Sequence, residues 1–158
     1  MQTRSLKEIR EELKHYPNEE LFEICMRMVR FKKENKELLS YLLFESEDEQ
    51  AYVNSAKAEI DQGFREMSRR SAYTIKKSIR KILKNTKQAI KYSDSKSTEI
   101  DLLCYFCRKM RNSKIGLDNS LQLRNLYATQ IKMAENALSK LHEDYRVEFI
   151  DEIQWLKS

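Results

Sequence analysis

Glycine and proline are scarce in this chain: its 158 residues include 2 Gly and 1 Pro, at Gly63, Gly116 and Pro17. Sheet proteins need turn residues every few positions, so this scarcity argues against an open β architecture. Phosphate-binding loops and dinucleotide fingerprints need several glycines close together, and two widely separated glycines can form neither. The sequence therefore excludes both of these nucleotide-binding classes.

Long apolar runs are also missing from the chain. No segment approaches the roughly 18–20 consecutive apolar residues that a membrane-spanning helix requires. The first residues, MQTRSLKEIREELKHYP, carry charges where a signal peptide has its apolar core. The 3 cysteines have no spacing typical of a disulfide framework, which favours a reducing compartment. These features predict a cytoplasmic protein.

The abundant residues favour helices. Charged residues make up 35% of the chain and hydrophobic residues 41%, which suits a helical core under a charged surface. The apolar residues recur every three or four positions, as on one face of a helix, and these stripes are expected to form the core. The spacing predicts helices near 5–15, 18–31, 34–45, 47–69, 71–92, 98–112 and 118–156, the last with a break near 142–144.

These segments predict an all-α fold. We expect one domain spanning 1–158, in which six to eight antiparallel helices form an irregular helical bundle or a short α-α superhelix. Gly63 lies inside a predicted helix, where it costs about 1 kcal/mol relative to alanine. Its position predicts a close helix crossing or a mild kink. Trp155 is expected to pin the last helix.

Two resemblances concern architecture alone. The run from Pro17 to Glu45 resembles one helical pair of an armadillo- or HEAT-type superhelix, a likeness carried by the spacing of its leucines. More broadly, the chain is similar to small all-helical bacterial proteins without an assigned function. Neither resemblance implies a site residue, a cofactor or a partner.

The segment DLLCYFCRKM contains the most conspicuous candidate for chemistry, the pair Cys104 and Cys107. A thioredoxin-type pair lies at a helix N-terminus, where the helix dipole lowers a thiol pKa, whereas this pair lies in the middle of a predicted helix. A structural zinc site needs two further ligands, and Cys25, His15 and His142 are isolated in the sequence. The pattern predicts buried packing residues, with no metal and no cofactor.

Two further patterns around His15 are typical of catalytic sites. Glu12 and His15 match half of a di-iron carboxylate site, but Ser139 stands where the second carboxylate before His142 would be needed. Arg10 and His15 have the Arg-x4-His spacing that resembles HEPN-type ribonucleases, and this resemblance implies metal-independent RNA cleavage across a dimer. We expect no enzyme, and a HEPN-like ribonuclease is the remaining catalytic alternative.

Charge is concentrated in one segment. Residues 1–60 carry a net charge of −3, residues 61–92 carry +8 and residues 93–158 carry 0. At about 100° per residue, the isoleucines and leucine of this segment fall on one arc and most of its cations fall on the opposite arc. The candidate surface for an anionic partner comprises Arg69, Lys76, Lys77, Arg80, Lys81, Lys84, Lys87 and Lys91.

Several partners suit such a basic surface. It could be solvated, pair with the acidic residues of 1–60 or of a second copy, meet an acidic protein, or bind phosphates. No groove-reading motif accompanies it, and its apolar side lacks the Trp or Phe anchors of a membrane-bound helix.

The first functional hypothesis is a non-catalytic protein-interaction module, a scaffold or adaptor, acting on an unidentified protein partner or by self-association. The alternative is sequence-independent nucleic-acid binding through the basic helix 69–91. The sequence predicts neither a membrane partner nor a small-molecule substrate.

Overall fold

The chain is described by a computed structural model that covers residues 2–158 and is 82% helical. Within these residues there are eight α-helices and no strand, so the all-α prediction is confirmed. The described helices include none that is long and apolar enough to cross a membrane. The helices are α1 (Leu6–Leu13), α2 (Asn18–Phe31), α3 (Lys33–Ser40), α4 (Glu49–Glu66), α5 (Ala72–Ser93), α6 (Lys96–Asn112), α7 (Leu121–Ser139) and α8 (Glu143–Lys157).

Two short elements complete the secondary structure. A π-helical turn, Tyr41–Glu45, follows α3, and a 3₁₀ turn, Leu117–Asn119, precedes α7. The predicted break in the last helix is confirmed, because α7 ends at Ser139 and α8 begins at Glu143. His142 caps α8 by accepting a hydrogen bond from the backbone N–H of Asp144 at its Nδ1 atom.

The chain divides into two compact units, residues 1–44 and residues 45–158. The first, here called the N-terminal unit, contains α1 to α3, of which α2 and α3 pack against each other. The second, the C-terminal unit, contains α4 to α8. The expectation that the whole chain forms one domain stays a prediction.

Helix α6 is the centre of the C-terminal unit. It packs against α4, α5, α7 and α8, and such a position requires apolar side chains around most of the helix. The side chains that are almost completely buried on it are Ile100, Leu102, Leu103, Cys104, Phe106, Cys107 and Met110.

The two neighbouring cysteines of α6 are therefore core residues, as the sequence predicted. Burial raises the pKa of the Cys104 thiol to about 12. Burial also raises the pKa of the Cys107 thiol far above its ordinary value. Both thiols are protonated at neutral pH, and thiols in this form are poor nucleophiles and poor metal ligands.

Gly63 marks a close crossing of α4 and α5. A Cβ atom built on Gly63 would lie 2.7 Å from Cγ1 of Ile82 in α5, closer than two carbon atoms can approach. The absence of a side chain at Gly63 is what allows this contact. The predicted close helix crossing is confirmed.

A cluster of charges ties α4 to α6. The Lys109 ammonium lies 2.7 Å from the Asp61 carboxylate, and the Tyr105 hydroxyl donates to the same carboxylate at 2.9 Å. Partial burial by itself raises the pKa of Asp61. The hydrogen bonds from Lys109 and Tyr105 and the positive charge of Lys109 outweigh burial, so the pKa of Asp61 lies below its ordinary value.

This lowered pKa predicts a specific loss of stability in acid. As pH falls, the unfolded chain takes up a proton on Asp61 before the folded chain does. The contribution of Asp61 to stability is therefore fully present above about pH 5 and is lost as pH falls through its folded pKa. We expect Asp61→Asn to lower the melting temperature at pH 6, and we expect its difference from wild type to shrink towards pH 2.5. Asp151→Asn, at an exposed aspartate outside the ion pairs of this unit, is the control and should change little. A difference for Asp61→Asn that stays constant with pH would contradict this account.

The last helix is held to the bundle on two sides. Ile153 and Leu156 are buried, and the Tyr127 hydroxyl donates to the Leu156 carbonyl at 2.8 Å. Trp155 is only partly buried, and the Arg111 guanidinium lies 4.4 Å from its ring centroid. Trp155 therefore fastens α8 through a cation–π contact at the surface of the bundle.

Candidate functional site

Helix α5 is a rigid support for its charged residues. Ser71 caps its N-terminus, since the Ser71 hydroxyl accepts from the backbone N–H of Thr74 while Thr74 Oγ1 accepts from the N–H of Ser71. Ile79, Ile82 and Leu83 are buried in the core on its inner side. The buried apolar side fixes the orientation of α5 in the unit. The helical period then determines which of its residues lie on the outer side.

The outer side carries seven cations within an arc of about 140°. Five of them are exposed, and Lys76 and Lys87, which lie at the same margin of the arc, are half-buried. None of the seven forms an ion pair within residues 45–158. This set, called the α5 cationic face below, comprises Lys76, Lys77, Arg80, Lys81, Lys84, Lys87 and Lys91.

Five other cations of the same unit form ion pairs with carboxylates, whereas none of the seven on α5 does so within this unit. Lys57 pairs with Asp101 at 2.7 Å, and Arg108 pairs with Glu152. Seven like charges on one helix without a carboxylate partner produce a local positive potential. The other ion pairs between a cation and a carboxylate of this unit are Lys96–Glu99, Lys109–Asp61 and Lys157–Glu135.

Arg69 is not part of this helix. It lies in the loop between α4 and α5, and its Nη1 atom donates to the Ser113 carbonyl at 2.8 Å. Its guanidinium therefore ties this loop to the C-terminal end of α6. Of the eight cations predicted as one surface, the structure places seven on α5 and gives Arg69 a structural contact.

The margin of the α5 cationic face next to α4 is less positive than its centre. A groove of about 330 Å³ between α4 and α5 is lined by Lys81 on one side and by Glu59 and Glu66 on the other. Arg80 and Lys84 lie away from this groove, near the middle of the arc. Their positive charges are therefore the least offset by nearby carboxylates.

Sequence reasoning missed one residue on this face. Tyr73, in the first turn of α5, is 72% exposed. Spacings of four, three and four residues separate Tyr73, Lys77, Arg80 and Lys84. Viewed down the helix axis, Tyr73 therefore lies at the middle of the cationic arc. This spacing is visible in the sequence, because Tyr73 falls on the cationic arc and away from the apolar stripe of α5.

The N-terminal unit carries a second candidate surface. No residue of α1, α2 or α3 is buried, although their apolar stripes were expected to form core. Leu6 is 84% exposed, Phe22 is 61% exposed and Phe31 is 81% exposed. The other large apolar side chains exposed in this unit are Ile9, Leu13, Met28, Leu38, Leu42, Leu43 and Phe44.

Helix α2 shows how unusual this exposure is. Its charged residues fall within an arc of about 100°, so about two thirds of its circumference is uncharged and mostly apolar. A helix with so wide an apolar side is normally covered on more than one side. The charged residues are Glu19, Glu20, Glu23, Arg27 and Arg30.

The residues predicted for catalysis lie on α1 and in the turn that follows it. Arg10 lies within α1, and His15 lies in the turn after it. A hollow of about 820 Å³ between α1 and α2 is lined by His15 but not by Arg10. Among the described residues, no group of three or more His, Cys, Asp or Glu side chains is placed to hold a metal ion.

No protein-family model, curated protein or solved structure matches this chain. Function is therefore inferred from the two surfaces that the chain itself presents: the apolar surface of the N-terminal unit and the α5 cationic face.

Proposed function

We propose that this protein is a non-catalytic interaction module that assembles with a second copy of its own chain through the apolar surface of the N-terminal unit. The observation that carries this proposal is the exposure of large apolar side chains on α1 and α2, such as Leu6 and Phe31. A large exposed apolar area on one unit of a protein is typical of an interaction site.

The physical driving force is removal of this apolar surface from water. Burial contributes about 25 cal/mol for each Å² of apolar surface, and a fully buried Phe or Leu side chain contributes about 1.5–3 kcal/mol. Helices of 8, 14 and 8 residues are marginal without tertiary packing. A partner that covers them stabilises the helices and the assembly together.

Size and charge favour a second copy as this partner. Helices α1 to α3 supply thirty residues, and a stable interface uses about 20–30 residues on each side. Residues 1–44 contain nine Lys or Arg and eight Glu, so the unit does not select a partner of one charge sign. A nearly neutral, apolar surface can face its own copy across a two-fold axis, the commonest symmetry of soluble oligomers.

Sedimentation velocity of the full chain over a series of concentrations tests this proposal. We expect a dimer whose fraction rises with concentration. The double substitution Met28→Asp/Phe31→Asp changes two exposed residues that lie about 60° apart on α2. It should shift the chain to monomer at every concentration, because an interface cannot bury two unpaired carboxylates without a large cost.

A matched control comes from the C-terminal unit. Leu121→Asp/Val147→Asp also places two carboxylates at exposed apolar positions, on α7 and α8, and it should leave the dimer intact. A wild-type chain that is monomeric at all concentrations would overturn self-association. Equal loss of dimer in both double variants would instead place the contact outside the N-terminal unit, which also contradicts the proposal.

A further inference from the structure

We propose that the α5 cationic face binds single-stranded nucleic acid, with its lysine and arginine side chains on the phosphates and Tyr73 stacked on an unpaired base. This activity is independent of self-association, because it uses a different unit of the chain.

The unpaired cations carry the first part of the proposal. A cation that already has a carboxylate partner gains little from a phosphate, whereas the cations of the α5 cationic face have no partner within the C-terminal unit. Neutralising phosphates with such residues releases the counterions condensed on the nucleic acid, and this release drives binding. Lys57 and Lys109 are paired, and the unpaired cations of this unit outside α5 are spread over several elements, so α5 is where its unpaired positive charge is concentrated.

The shape of the face suits a linear polyanion. Tyr73 and Lys91 are separated by 18 residues of one helix, which corresponds to about 27 Å at 1.5 Å per residue. Lys77, Arg80 and Lys84 lie between them on the same arc. Because the helix is anchored by its buried side, the cations are held in a row before the ligand arrives, which reduces the entropy lost on binding.

Tyr73 selects for single strands. Its ring is 72% exposed, and it stands at one end of the row of cations. Stacking of a base on an aromatic side chain tolerates any sequence but needs a base that is free of its duplex partner. Cations alone would bind duplex and single strand alike, so Tyr73 is the feature that gives a preference for single strands.

Two other anionic partners fit the structure less well. A membrane-bound amphipathic helix inserts its apolar side into the bilayer, but Ile79, Ile82 and Leu83 on the apolar side of α5 are buried in the protein core. An acidic protein segment could meet the cations but would offer no base to Tyr73. Its binding would therefore be insensitive to the loss of the ring.

The test is fluorescence anisotropy of the full chain with labelled single-stranded DNA, single-stranded RNA and duplex DNA, from 50 to 200 mM salt. If about five phosphates are neutralised, the logarithm of the affinity for single strands falls with a slope near −3.5 against the logarithm of salt, a loss of roughly 100-fold over this range. Arg80→Glu/Lys84→Glu should weaken binding at low salt by at least about tenfold and flatten the slope by about 1.4. The DNA and RNA arms show which single strand is preferred.

The tyrosine is tested separately. Tyr73→Ala should weaken single-strand binding by roughly fivefold or more and leave the salt slope unchanged, because stacking releases no counterions. Tyr73→Phe should restore the affinity, because phenylalanine keeps the ring.

Matched controls distinguish these effects from changes in total charge or exposed aromatic surface. Arg124→Glu/Lys132→Glu changes the net charge by the same amount at exposed residues of α7. Tyr145→Ala removes a tyrosine of α8 that is 59% exposed. Both controls should bind like wild type.

Four results would overturn the proposal: no binding at 50 mM salt, equal losses in the test and control variants, duplex bound as tightly as single strands, or no effect of Tyr73→Ala. Parallel titrations with polyglutamate and with phosphatidylserine vesicles identify an acidic protein or a membrane as the partner instead. Binding of either of these at the α5 cationic face without binding of nucleic acid would also overturn it.

Discussion

Phe106→Ala is expected to lower the free energy of unfolding of the C-terminal unit by about 3–5 kcal/mol. The Phe106 ring is fully buried on α6, with its centroid 5.9 Å from that of Phe64 on α4. Since α6 contacts the other four helices of the unit, removing the ring leaves a cavity that no neighbouring side chain can fill without moving. The cost therefore includes both the lost transfer energy and the cavity.

Denaturant unfolding followed by the fluorescence of Trp155, the only tryptophan in the chain, measures this loss. Because 3–5 kcal/mol is a large part of the stability of a small protein, Phe106→Leu provides a milder variant with an expected cost of less than about 1.5 kcal/mol. Tyr73→Ala, at an exposed aromatic of the same unit, should change stability by less than about 0.5 kcal/mol. A loss below about 1 kcal/mol for Phe106→Ala would contradict the central position of α6.

The close crossing at Gly63 predicts a second large effect. Gly63→Leu should destabilise the C-terminal unit by about 3 kcal/mol, because its side chain would have to displace Ile82 within a packed core. Gly63→Ala should also destabilise, by about 1 kcal/mol net, although alanine favours a helix over glycine by a similar amount. The steric cost exceeds the gain in helix propensity.

A double-mutant cycle isolates the steric part of this effect. In an Ile82→Ala background the conflicting Cγ1 atom is absent, so adding Gly63→Ala should become neutral or stabilising by up to about 1 kcal/mol. Chemical denaturation of the four chains of the cycle measures the coupling. If Gly63→Ala has the same effect in both backgrounds, the contact between Gly63 and Ile82 does not explain the glycine.

Much of the secondary structure was predictable because helical periodicity is a local property. The predicted segments 18–31 and 71–92 correspond to Asn18–Phe31 and Ala72–Ser93. Helix boundaries were predicted less accurately. The segment predicted as 34–45 is α3 followed by a π-helical turn, and the helix predicted as 47–69 ends three residues earlier, at Glu66. Such ends depend on capping and on the next element, and periodicity does not describe either one.

The candidate surfaces were only partly predictable. The cationic arc of α5 follows from sequence spacing, so its seven residues could be identified without a structure. The contact of Arg69 with Ser113 joins residues 44 positions apart, and spacing cannot reveal such a contact. The position of Tyr73 on this arc also follows from spacing, whereas its exposure depends on whether another element covers the first turn of α5.

The sequence by itself determined that the chain is helical, where most of its helices lie, and that α5 has one apolar and one cationic side, because each of these depends on residues within a few turns of one another. The tertiary structure decided which apolar stripes are covered. It surrounded α6 with four helices and buried Cys104 and Cys107, while it left the apolar stripes of α1 and α2 without a single buried residue. An apolar stripe specifies that a helix needs a partner, but whether that partner belongs to the same chain depends on how many helices are available to cover it.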